Sequence, residues 1–94
     1  MMQITYDRVK ELFGYKNGQL IWRVSKGRAR GGNIAGTTCP IHGYTIVQVD
    51  NKQYKSHRLI WLWHNGYFPE NNLDHIDQNR ANNKIENLRE ASSS

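Results

Sequence analysis

Apolar and polar positions along this chain keep two different periods, and each change of period marks an element. "TYDRVKELF" (5–13) carries helical spacing. Thr5 is placed to cap it, Asp7 lies in its first turn, Ile4 and Val9 have hydrophobic-staple spacing, and Gly14 is the expected stop. In "YKNGQLIWRV" (15–24) the period falls to two: Leu20, Trp22 and Val24 alternate behind Asn17-Gly18, which predicts a hairpin closed by a type I′ turn. "SKGRARGGNIAGTT" (25–38) is glycine-rich, keeps no sustained period and is expected to be a loop. "GYTIVQV" (43–49) and "KQYKS" (52–56) predict two strands turned at Asp50-Asn51.

Helical spacing returns in "SHRLIWLWHNG" (56–66). Ser56 is the expected cap, Leu59, Leu62 and Trp63 form a stripe widened by Ile60, and Gly66 ends the helix. Pro69 favours an extended approach to the next segment. "NNLDHID" (71–77) then reads as a short strand, Gln78 to Asn83 as an asparagine-rich loop, and "NLREAS" (87–92) as a returning strand. The sum is an α+β chain with a small antiparallel sheet and short helices.

With 94 residues the chain suits one modest core. Only 37% of it is apolar, but three Trp, five Tyr and two Phe give that fraction bulk. Cys39 is alone, which excludes an internal disulfide and a cysteine-based structural zinc site. No apolar run approaches the roughly 18 residues of a membrane span and the N-terminus is not signal-like, so a cytoplasmic protein is expected. Charge is uneven along the chain. Residues 1–58 hold ten Lys/Arg against Asp7, Glu11 and Asp50, a balance of +7, while residues 59–94 hold three against five, a balance of −2. A basic front half suits a polyanion, nucleic acid above all.

The polar segment 73–90 is where chemistry is expected. Asp74 offers a hard oxygen ligand to Mg²⁺, and His75 an imidazole able to take a proton from water near neutral pH. A base beside a cation is what phosphodiester hydrolysis requires. Neighbouring strand residues face opposite ways, so both serve one phosphate only if the strand bulges, twists sharply or ends near His75.

The run "HRLIWLWHNGYFPENNLDHIDQNRANNKIENLRE" (57–90) closely resembles HNH endonucleases of the phage and homing type, and "LFGYKNGQLIWRV" with "GYTIVQVDNKQYKSHR" looks like the front of the same proteins. The resemblance implies a ββα-metal motif: two short antiparallel strands and a helix around one divalent cation, Mg²⁺ first and Mn²⁺ second. By position it makes Asp74 the metal ligand and His75 the general base. It makes Asn87 the residue that braces the loop and helps orient the histidine. Asn83 is expected to serve the turn, Asp77 to brace the loop, and His57 to cap or pack the helix it opens; His42 and His64 receive no role. The family's last motif residue lies on a helix expected just past Ser94. The motif in 57–94 is therefore expected to be incomplete, cutting poorly or not at all alone, with an open face that favours self-association.

The front part, residues 1–56, is expected to contact double-stranded DNA. Lys26, Arg28 and Arg30 alternate on the glycine loop, and Arg23, Lys52, Lys55 and Arg58 extend that basic surface. Trp22, Trp61 and Trp63 fit a core better than a stacking platform. The leading expectation is a metal-dependent DNA endonuclease, with a non-catalytic double-stranded DNA-binding module of degenerate HNH fold as the alternative. RNA binding fits charge and aromatics but leaves Asp74, His75 and Asn87 without a purpose.

Overall fold

A computed structural model of the chain describes residues 4–24, 31–69 and 72–90. The order is α1 (Tyr6–Leu12), β1 (Phe13–Lys16), β2 (Gln19–Trp22), β3 (Ile34–Ala35), β4 (Thr37–Thr38), β5 (Thr45–Val49), β6 (Lys52–Lys55), α2 (Ser56–Asn65), β7 (Leu73–His75), a 3₁₀ turn (Ile85–Asn87) and β8 (Leu88–Glu90). All pairings are antiparallel. The strands form three small sheets, ordered β1-β2-β3, β4-β5-β6 and β7-β8, where the sequence suggested one sheet before the motif. The α+β class holds.

Thr5 accepts a hydrogen bond from the Arg8 amide, as its position at the start of α1 predicts. Gly14 does not stop this helix. The chain leaves α1 at Leu12 and runs straight into β1, because Phe13 is fully buried and pairs with Trp22 across the hairpin. Asn17 and Gly18, at φ 49° and 82°, form the expected left-handed turn, and Asp50 and Asn51 repeat it at 51° and 65°. Two stretches assigned to the glycine loop are strands. Ile34–Ala35 pairs with β2 and Thr37–Thr38 with β5, in runs too short to display a period.

Helix α2 is the central core element. Leu59, Ile60 and Leu62 lie against Val9, Leu12, Phe13, Leu20, Val47 and Val49 from the preceding elements. The Trp63 indole donates to the Phe13 carbonyl at 3.0 Å, fixing α2 to β1. Gly66 closes the helix in the left-handed conformation, its N–H on the Leu62 carbonyl. Ser56 is not the cap. It is already the first helical residue, buried to 2% exposure, and the flanking position is Lys55 with no side-chain capping bond.

The hairpin β1–β2 reaches over to the polar segment. The Tyr15 hydroxyl accepts from the Ile85 amide at 3.0 Å. At the hairpin tip, a Cβ on Gly18 would stand 2.7 Å from the Lys84 nitrogen, so the backbone approaches closer there than any side chain permits.

Candidate active site

β7 and β8 form a two-stranded ribbon with Asp74 opposite Arg89 and His75 opposite Leu88. The ribbon ends at His75. The next residues turn back, with the Gln78 amide on the His75 carbonyl at 2.8 Å and Gln78 at φ 64°. That early termination removes the alternation problem. Asp74 and His75, neighbours on one strand, both line an open pocket of about 440 Å³ together with Tyr44, Leu73, Gln78 and Arg80.

His75 is only 5% exposed although it forms part of that wall. Its Nε2 meets the Asn83 Oδ1 at 2.8 Å, and Asn83 is itself 3% exposed. An amide oxygen only accepts, so Nε2 carries the proton and the lone pair of the neutral ring sits on Nδ1. Orientation of the histidine is thus the work of Asn83. This corrects the turn role expected for Asn83 and the orienting role expected for Asn87.

Asn87 braces the loop, as expected for it. Its Oδ1 accepts from the Asp77 amide at 3.1 Å, and its Nδ2 donates to Asp77 Oδ1 and to the Asn82 carbonyl, each at 2.9 Å. Asp77 also accepts from the Asn82 side chain at 2.7 Å and the Asn79 amide at 2.8 Å. The Asn82, Asn79 and Asn87 donors hold its carboxyl below the usual aspartate range. Every bond of Asp77 is spent on shaping the loop, as expected for it.

Asp74 accepts from Arg89 Nη2 at 3.0 Å and Nε at 3.2 Å, both on Oδ2. Oδ1 carries no hydrogen bond among the described residues and is the one hard donor here for a cation that keeps most of its waters. No group of three or more His, Cys, Asp or Glu is placed to share a metal among the described residues. The residues present therefore fit one ligand of a hydrated cation that also takes phosphate oxygens, and not a protein cage.

Two neighbours of His75 were not placed beside it by the sequence. His57, 4% exposed, packs edge-on against His75 with ring centroids 5.0 Å apart. Its Nδ1 has no partner among the described residues. Burial, then the charges of His75, Lys55 and Arg58, push its pKa down to about 3, so this ring stays neutral. The packing role expected for it holds, but its contact with the proposed base was not foreseen. Tyr44 lies 5.5 Å from His57 and 6.2 Å from His75, ring to ring, and lines the pocket. The only sequence signal for Tyr44 was an aromatic at the mouth of a strand.

The basic residues divide. Lys26, Arg28 and Arg30 lie outside the described residues. Lys55 stands 4.5 Å from the ring centre of Tyr44, which lines the pocket. The other three are engaged with other groups: Arg23 donates to the Lys10 carbonyl at 2.9 Å, Lys52 lies 5.5 Å from the Tyr54 ring, and Arg58 lies 5.7 Å from the Phe68 ring.

An early-ending strand, an imidazole held through Nε2 and an asparagine-braced loop make up this polar ribbon. Residues 54–94 match the family model described as HNH endonuclease, the family that the polar segment resembles. The family acts on DNA and generally uses a divalent metal. Comparison with curated proteins and with solved structures gave no match. Among the described residues no helix is long and apolar enough to cross a membrane.

Proposed function

We propose that the chain is a metal-dependent DNA endonuclease in which His75 is the general base and Asp74 the protein ligand of the cation. The observation that carries this is the buried pairing of His75 Nε2 with Asn83, made by a histidine that lines one pocket with Asp74. With Nε2–H committed to Asn83, Nδ1 is the nitrogen left to accept a proton from water. The water oxygen attacks phosphorus as that proton passes to Nδ1. The bond from phosphorus to O3′ breaks, and the departing oxygen takes a proton from solvent. A 5′-phosphate and a 3′-hydroxyl result. The Asn83 oxygen stays on Nε2–H throughout and stabilises the imidazolium that forms. Mg²⁺ or Mn²⁺ on Asp74, water and phosphate oxygens would supply stabilisation of the charge developing on phosphate. Residues 1–56 would deliver the duplex and 57–94 the chemistry.

One carboxylate, half engaged with Arg89, argues for slow turnover and favours one rival: a DNA-binding module without catalysis. Supercoiled plasmid with protein in excess, in Mg²⁺ or Mn²⁺, separates the two. The nuclease gives slow nicking that falls by roughly 10²–10⁴-fold in His75→Ala, the usual worth of a general base. Retained DNA binding without nicking, or nicking indifferent to His75, would sink it in favour of the rival or of a contaminant.

A further inference from the structure

The pocket has a polar wall that the hydrolysis leaves unused. Arg80 lines it and donates through Nη1 to the His42 carbonyl at 3.0 Å. Its guanidinium carbon lies 5.1 Å from the centre of the Tyr44 ring, and the Lys55 ammonium lies 4.5 Å from that same centre. Three segments distant in sequence (the end of β6, the turn before β5 and the loop after β7) thus converge on one aromatic ring.

Two like charges gathered on one ring repel, and among the described residues neither Arg80 nor Lys55 is in an ion pair. The ring face offsets part of that repulsion, and the His42 carbonyl fixes the guanidinium plane. An anion bound at the rim of that ring would relieve the remainder. Arg80 has spent one N–H on His42, and the guanidinium retains donors for a pair of phosphate oxygens. Lys55 offers a mobile point charge beside it.

We infer that Arg80 and Lys55, held by Tyr44, form a clamp for a backbone phosphate of DNA next to the one presented to His75. The clamp rests on the proposed function for the identity of the polyanion, but binding reports it without cleavage. Arg80 and Lys55 are the phosphate-binding residues; Tyr44 is a positioning residue acting through both.

The test is fluorescence anisotropy of a labelled DNA duplex with the full chain in EDTA, across a sodium chloride series. Neutralising one phosphate contact should lower the slope of log K against log [salt] by about 0.9. Arg80→Ala and Lys55→Ala should each do so, and the double variant by about twice that, with weaker binding to all sequences alike. Arg80→Gln keeps a donor for His42 while removing the charge, so it should reproduce the change even if Arg80→Ala folds poorly. Arg80→Lys should keep the slope. Slopes and affinities of Arg80→Gln and Lys55→Ala equal to wild type would overturn the clamp, while His75-dependent nicking would still stand by itself.

Discussion

The Asn83 amide meets the Nε2 edge of His75 where both side chains are nearly excluded from water, so no solvent competes for that bond. His57 packs on the same ring and has the opposite character, a buried imidazole whose Nδ1 lacks a partner among the described residues. Burial is the main reason its pKa falls to about 3 from the ordinary 6.5. The sign comes from linkage. Between those values the unfolded chain binds a proton that the folded chain excludes, so this stabilisation is full above about 6.5 and drains away as pH falls. Urea unfolding should show stability falling on acidification below pH ~6.5, His57 contributing at most ~1.4 kcal/mol per pH unit. In His57→Phe the curve should be flatter; equal curves would contradict this account of the buried ring. At this scale Asp74, His75 and Asn87 could be singled out because their types and spacing match a motif. The positions of Asn83, Tyr44 and Arg80 around them could not, since they depend on where two loops pass, and spacing says nothing about that.

Among elements, the β1–β2 hairpin has a task beyond its own pairing. Its tip abuts the backbone of Asn83 and Lys84, and Tyr15 holds the Ile85 amide. The hairpin thereby supports the stretch that presents Asn83 to His75. Gly18→Ala must place a Cβ against backbone at a left-handed φ, which should cost about 1–3 kcal/mol in urea unfolding. Among molecules still folded, cleavage should fall as well, because Asn83 is displaced. A variant as stable and active as wild type would show the close approach to be unimportant. Both hairpin turns and helix α2 could be read beforehand from Asn-Gly, Asp-Asn and the Leu59–Leu62 stripe. The boundaries could not. Phe13 is claimed by the hairpin before Gly14 can end α1, and β3 and β4 depend on partners in β2 and β5.

In the whole molecule, α2 joins the front and rear of the chain. Its buried side chains meet α1, β1, β2 and β5, while its first turn sets His57 behind His75. Lys55 from the basic front half and Arg80 from the rear share the ring of Tyr44, which lines the pocket. The proposed hydrolysis turns on which nitrogen of the His75 ring is free to take a proton. Nitrogen-15 NMR of His75 in the neutral state reads that directly. The bond to Asn83 requires a protonated, pyrrole-like Nε2 and an unprotonated, pyridine-like Nδ1, a preference lost in Asn83→Ala. A wild-type ring with the proton on Nδ1, or one whose tautomer ignores Asn83, would contradict the account at its centre.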